Sequence, residues 1–560
     1  MPQSPDAILE AASALVADGR AAQALPLLQG ARLRHPTHPA IAFRLADALQ
    51  LTGRLAEAAQ AYAAGLALEE SSADGWYGAG CAYLELRRYG AAAVAFARVA
   101  ALAPEFGAAR YNLAKSLFLL GRVDAAIAEF ERAARLDPAL APLAHASIAS
   151  IIPGSAAANH AAVLEARRRW AAAEARAIPK PHSRPVSRPS GGKLRLGYLS
   201  GFFGDRNWMK PVFALINRHD RRAFEIHLFS DGAPPGAESG YREQDSDIIH
   251  DLQGVPNEAA AGIIAGLALD ILVDLNGYSL QPRLPLLMRR PAPKIVGWFN
   301  SFATSGIRAY DWLVGDAAVI RPAEEKHYGE RIHRVSFTYL PFEVLYPVPE
   351  VAAPPCRTQG AGLTFGCLGS QYKLTDAVLG SWGRILRAAP AAKLFVKNGA
   401  LEDASTREDL LRRLQSVGLE AERIRLEGRS EHFEFLAAYR HVDIALDTFP
   451  YNGGTTTTEA LWQGVPVLAF DGDRWVARTS KSLLLAAGLG DWVMPDLTGW
   501  EQRAIALAAD PETPVLLADL RAGMRARLAA SPACDAEGFC REMERFYAGV
   551  AAPARKSGAG

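Results

Sequence analysis

Cysteine is scarce in this sequence, and the few present form no pattern. Cys81, Cys356, Cys367, Cys534 and Cys540 are odd in number and scattered over 560 residues. Without CxxC spacing they argue against a disulfide framework and a zinc site, and they fit a reducing compartment. No stretch supplies the roughly eighteen apolar residues of a membrane span. The N-terminal "MPQSPDAILEAASALVADGR" carries acids where a secretory leader needs basic residues. A soluble, cytoplasmic protein is expected. Charge of one sign is missing too: 61 Lys and Arg face 60 Asp and Glu, so no global field points to nucleic acid or anionic lipid. A charged ligand must be met by local groups. Apolar residues are plentiful at 50%, enough at this length for two or three domain cores.

The first quarter of the chain repeats with a period of 34. Tyr83 aligns with Leu117, Ala92 with Ala126, Phe96 with Phe130 and Pro104 with Pro138; Ala58, Tyr62 and Glu70, then Ala24, Leu28 and Pro36, continue the register backwards. Four units start near Pro5, Pro39, Ala73 and Gly107. An aromatic in the first helix, a small residue at the helix crossing and a closing proline resemble the tetratricopeptide repeat, whose helix pairs stack into an α-solenoid that binds peptides or proteins on its concave face. Residues 1–138 are assigned to these repeats and 139–177, ending in "AAVLEARRRWAAAEARA", to capping helices. The Pro-rich, basic "IPKPHSRPVSRPSGGK" then reads as a linker over 178–192 or a strap over the surface.

From Lys193 short apolar runs alternate with helix-length stretches. "KLRLGYLS", "FEIHLFS", "DILVDLNG", "KIVGWFN" and "DWLVGD" fall before the break "YPVPEVAAPP"; "LTFGCLG", "AKLFVKNG", "RIRLEGR", "VDIALDTF" and "VPVLAFDGD" fall after it. Alternation of this kind predicts parallel sheets covered by helices. Two doubly wound α/β lobes, 193–350 and 362–550, should leave a cleft between their strand C-termini.

One junction in the second lobe stands out. After "VDIALDTF" the chain passes through Asn452, Gly453 and Gly454 into "TTTTEALWQG". Glycines allow close approach of a ligand to backbone, and a helix N-terminus favours an anion. The threonines are expected to cap the helix and to offer hydroxyls to phosphate oxygens. Glu459, one turn further in, suits ribose hydroxyls. The segment reads as a nucleotide-sugar diphosphate site.

"FPYNGGTTTT", with "LRLGYLSGFFG", "RRPAPKIVGWFNSFATSG" and "FGCLGSQYKLT" in the same order, resembles the family 41 glycosyltransferases, the O-GlcNAc transferase and SPINDLY group. The resemblance runs from the repeats to about residue 548. It implies a GT-B catalytic region, two Rossmann-like lobes, joined to the solenoid, and inverting transfer of N-acetylglucosamine from UDP-GlcNAc to Ser or Thr of acceptor proteins recruited by the repeats. It matches Lys373 to a lysine set against the diphosphate, Thr455 and Thr456 to phosphate-gripping hydroxyls, Glu459 to a ribose contact, Arg429 to a lysine near the nucleotide and His432 to a histidine beside the base. No metal or other cofactor is implied.

The sequence also departs from the group. Where O-GlcNAc transferases carry histidines, "FFGDRNWMKP" has Arg206 beside Asp205, and Gly454 precedes the threonines. The general base stays open between Asp205 and the leaving phosphate. "FPYNGGTTTT" is nearer the SPINDLY branch, which implies GDP-fucose as the alternative donor, and an inactive repeat adaptor is the third reading. The "DGD" at Asp471 and Asp473 is expected to serve loop and helix-cap roles rather than to bind metal.

Overall fold

The computed structural model describes residues 4–178, 192–205, 207–360 and 362–552. Four helix pairs come first: α1 (Pro5–Ala17) with α2 (Ala21–Arg34), α3 (Pro39–Leu51) with α4 (Leu55–Leu66), α5 (Ala73–Glu85) with α6 (Tyr89–Leu102), and α7 (Gly107–Leu119) with α8 (Val123–Leu136). Proline at the first helical position of α1 and α3 lacks only an N–H that would have had no helical partner. Ala24, Ala58, Ala92 and Ala126 are fully buried, because a methyl is all the space at each crossing admits, and Leu28, Tyr62, Phe96 and Phe130 fill the gaps beside them.

The next two helices, α9 (Ala141–Ile151) and α10 (His160–Ala177), do more than end the solenoid. Trp170 and Ala171 of α10 enter the core of the first α/β lobe, and buried Arg167 donates to the Ala149 carbonyl at 3.0 Å and the Thr304 carbonyl at 2.6 Å. The assignment of 139–177 as a simple cap is therefore corrected: the stretch joins the repeats to the first α/β lobe. Of the predicted linker, residues 179–191 lie outside the described residues.

The first lobe is a seven-stranded parallel sheet of β1 (Leu194–Ser200), β2 (Phe224–Ser230), β3 (Ile248–Asp251), β4 (Ile271–Asp274), β5 (Lys294–Gly297), β6 (Trp312–Asp316) and β7 (Arg331–Val335), in the order 3-2-1-4-5-6-7. The second has six strands, β8 (Thr364–Cys367), β9 (Lys393–Lys397), β10 (Ile424–Glu427), β11 (Ile444–Leu446), β12 (Val467–Phe470) and β13 (Val493–Met494), in the order 10-9-8-11-12-13. Both sheets reverse direction of winding beside their first strand, which opens a crevice at the strand C-termini where ligands of such folds bind.

The second lobe does not extend to residue 550 as expected. The C-terminal helix Ala536–Ala551 crosses back and lays Phe539, Cys540, Met543, Phe546 and Tyr547 into the first lobe's core. Its Glu544 receives His219 Nδ1 at 3.1 Å and the Asp220 amide at 2.8 Å, which fixes the crossing. The C-terminal helix thus straps the second lobe to the first.

Candidate active site

A cavity of about 690 Å³ lies between the lobes, closed on one side by Tyr89 and Leu119 of the repeats. Loops after β1 and β5 bring Asp205, Asn207, Lys210 and Phe299 from the first lobe. Those after β8, β9 and β11 bring Lys373, Asn398 and Asn452 from the second, with the start of the helix Thr455–Trp462. Phe299 and Phe302, both on its wall, hold left-handed backbone at φ 62° and 51°, a conformation that bulky residues adopt only when the surroundings impose it.

The threonine helix begins differently from expectation. Its N-cap is Gly454, and no side chain caps it, so the threonines occupy the first turn rather than the cap. The hydroxyls of Thr457 and Thr458 are already bonded, to Ser480 Oγ at 2.8 Å and the Thr455 carbonyl at 2.7 Å, although Thr458 also lines the cavity. Thr455 and Thr456 line the cavity, and among the described residues their hydroxyls have no hydrogen-bond partner. The first backbone bond of the helix runs from the Thr458 amide to the Gly454 carbonyl at 3.1 Å, leaving the amides of Thr455, Thr456 and Thr457 unbonded among the described residues. Donors of this kind at a helix N-terminus suit an anion.

Gly453 sits behind this turn. A Cβ there would lie 2.5 Å from Thr457 Oγ1 and 2.8 Å from Thr456 Oγ1, whereas at Gly454 the nearest atom would be 3.7 Å away. Only Gly453 is sterically bound to be glycine. Its amide donates to Asp447 Oδ1 at 2.9 Å. Burial raises the Asp447 carboxyl to about 6, against the pull of that amide.

Lys373 stands opposite. Its Nζ donates to the Asn452 carbonyl at 2.7 Å and lies 4.4 Å from the centre of the Tyr451 ring. Burial lowers its ammonium to about 8, with the Asp447 carboxylate pulling the other way. Among the described residues no carboxylate is in contact with it, and it lines the same cavity as Thr455 and Thr456.

The remaining predicted residues are distributed less simply. Glu459 lines the cavity, but its carboxylate is buried and already engaged: His432 Nε2 at 3.0 Å, Asn207 Nδ2 at 3.3 Å and Lys210 Nζ at 3.6 Å. Burial alone would raise this carboxyl, yet Lys210 and His432 outweigh it and hold it below the usual range. His432 is not a wall of the cavity; it packs edge-on to Tyr346 and backs Glu459. Exposed Arg429 lies outside the cavity, lining an adjoining space of about 890 Å³ between second lobe and repeats with Arg87 and Arg88. Asp205 is on the cavity wall and remains exposed, with partial desolvation raising its carboxyl above the ordinary value; Arg206 lies outside the described residues.

The DGD segment is in a loop, but it caps no helix. Asp471 is held by Arg321 of the first lobe at 2.6 Å and Lys481 at 2.8 Å, and Asp473 pairs with Arg474 at 2.7 Å. Both carboxylates are matched by cations, and the pair of Asp471 with Arg321 ties the two lobes together.

Two residues of the cavity wall that contact Glu459, Lys210 and Asn207, are not among those expected from the sequence. Lys210 had a usable signal: it opens a helix, Lys210–Ile216, in which every residue is buried, and an ammonium in such company needs a partner.

Known proteins agree with this architecture. The profile of glycosyl transferase family 41 matches residues 140–342 and 361–543, and tetratricopeptide repeat profiles match 2–77 and 77–141. The chain belongs to glycosyl transferase family 41. It is 29% identical over 391 residues to a tomato (Solanum lycopersicum) protein named probable UDP-N-acetylglucosamine–peptide N-acetylglucosaminyltransferase SPINDLY, covering 68% of this chain and 41% of that one. A Hordeum vulgare protein of the same name is 31% identical over 363 residues, 63% of this chain and 38% of that one. The chain therefore spans about two-fifths of the length of these curated relatives. Among solved structures, a mutant of the Thermobaculum terrenum O-GlcNAc transferase is similar over 92% of this chain and 98% of that one, with TM-score 0.76 and 29% identity. The family profile begins at residue 140, in keeping with the packing of α9 and α10 against the first lobe.

Proposed function

We propose that this chain is an inverting protein O-glycosyltransferase that moves N-acetylglucosamine from UDP-GlcNAc to Ser or Thr hydroxyls of proteins recruited by its repeats, in a reducing, cytoplasmic setting. The observation that carries the reading is the cavity that sets the Lys373 ammonium against the free amides and hydroxyls of Thr455 and Thr456. In the reaction the acceptor oxygen bonds to the anomeric carbon while the bond from that carbon to the diphosphate breaks, and the diphosphate leaves with the electron pair. Preorganised cations and amides aimed at the oxygens that gain charge supply the largest stabilising contribution in such steps. Lys373 and the first turn of the threonine helix take that part, so no metal is required. Asp205, across the cavity with its carboxyl raised by partial desolvation, is assigned to accept the hydroxyl proton. Glu459, fixed by Lys210 and His432, is assigned to ribose hydroxyls through its remaining lone pairs.

An inactive adaptor would have no use for a half-buried cation on the same cavity wall as free amides. The test is a donor panel: purified protein with acceptor protein and EDTA, scored for nucleotide release. Release of UDP from UDP-GlcNAc in chelator is the expected result. GDP release from GDP-fucose instead would transfer the assignment to a SPINDLY-like fucosyl donor. Release that stops in EDTA and returns with manganese would refute the metal-free account.

A further inference from the structure

The repeats touch the loop that carries Lys373. Phe118, near the end of α7, stacks on Tyr372 with ring centroids 5.2 Å apart and planes inclined by 26°. Gly121, at φ 86°, approaches so closely that a Cβ there would lie 2.4 Å from the Leu374 carbonyl oxygen. Arg413, buried on the helix Ala404–Ser416, donates to the Leu120 carbonyl at 2.6 Å and the Leu374 carbonyl at 2.8 Å. One guanidinium therefore grips the repeat turn and the lysine loop together. Tyr372 in turn meets Tyr451 edge-on at 5.8 Å, the ring over which Lys373 Nζ sits.

Anchoring a solenoid requires contacts anywhere on the lobe, and Arg122 to Asp409 at 2.7 Å and the Ala91 amide to Ser405 Oγ at 3.0 Å already provide them. The contacts of Phe118, Leu120 and Gly121 converge on residues 372 and 374, the two neighbours of the lysine. A flexible four-carbon side chain needs such support, since a catalytic charge must be held within about 0.5 Å of its working position. We propose that the fourth repeat is a positioning element of the donor site, in which Phe118 acts through Tyr372 and the Leu120–Gly121 turn acts through Arg413 and Leu374 to hold Lys373 against the diphosphate. This rests on the reading of Lys373 as the diphosphate cation. A ligand on the repeats that displaces α7 would change nucleotide affinity, and the nucleotide would change the affinity of that ligand in return.

The test uses calorimetric affinities of the full chain for UDP and GDP. Phe118→Ala and Gly121→Ala are each made in the native protein and in Lys373→Met. Acting through the lysine, each weakens the nucleotide that binds by about tenfold in the native background and less than about twofold in Lys373→Met, and Phe118→Tyr restores affinity. Equal losses in both backgrounds, or no loss in either variant, would overturn the proposal alone. Unchanged affinity in Lys373→Met by itself would remove the underlying reading, and the proposal with it.

Discussion

Lys210 of the first lobe and Glu459 of the second lie 3.6 Å apart, each side chain at most 3% exposed. The pair bridges the two lobes on the cavity wall. Removing one member leaves a buried charge, which costs about 3 kcal/mol, whereas removing both costs far less. Lys210→Met should lower unfolding free energy by about 3 kcal/mol, and Lys210→Met with Glu459→Gln should recover most of it. The Glu459 carboxyl is held below its usual range in the folded state, so its stabilising contribution is full at neutral pH and fades as pH falls below about 4. Denaturant unfolding at pH 7 and pH 3.5 measures both; a double variant as weak as the single one would deny the coupling.

The two adjacent glycines before the threonines should respond oppositely to a methyl group. Gly453→Ala drives Cβ against two threonine hydroxyls and should displace the phosphate turn, weakening nucleotide binding at least about tenfold, or 1.4 kcal/mol. Gly454→Ala, with no atom nearer than 3.7 Å, should bind nucleotide nearly as the native protein does. Equal effects would mean the turn is not the binding element.

Thr456→Val keeps shape and deletes a hydroxyl that faces the cavity. A hydrogen bond to a charged oxygen contributes about 1 to 2 kcal/mol, so calorimetry should show a loss in that range with the melting temperature unchanged. Native affinity in the variant would leave the amides alone as the phosphate contact.

Lys373 gives a pH signature. Its ammonium is lowered to about 8, so kcat/KM for nucleotide release should fall as pH rises through about 8 in the free enzyme. Lys373→Arg should lose that limb because a guanidinium stays charged. Lys373→Met should reduce turnover at least about a hundredfold, near 3 kcal/mol. Because the folded protein lowers this lysine below its unfolded value, its effect on stability rises with pH between about 8 and about 10.4, and Lys373→Met should melt no lower than the native chain at pH 7. A limb retained in Lys373→Arg would assign the titration to another group.

Much of this architecture was legible because it is local and periodic. The 34-residue spacing of Ala24, Ala58, Ala92 and Ala126 marks fully buried helix crossings, and ten apolar runs match ten of the thirteen strands. Three strands carried no such signal. β3 is an exposed edge within an acidic stretch, β7 is broken by basic residues, and β13 has two residues. The C-terminal helix shows its apolar stripe plainly, but a stripe does not say which lobe it will cover. The same limit hid the site's partners: Lys210 with Glu459, Arg413 with Leu374 and Asp471 with Arg321 meet only through the fold.

Nucleotide diphosphate is proposed to bind on the second lobe against Lys373 and the threonine helix. A crystal structure with UDP bound tests it most directly. Phosphate oxygens are expected within about 3 Å of the Thr455 and Thr456 amides or hydroxyls and of Lys373 Nζ, with no metal between them. Nucleotide seated on the first lobe, or phosphates turned toward Asp471 and Asp473, would contradict it.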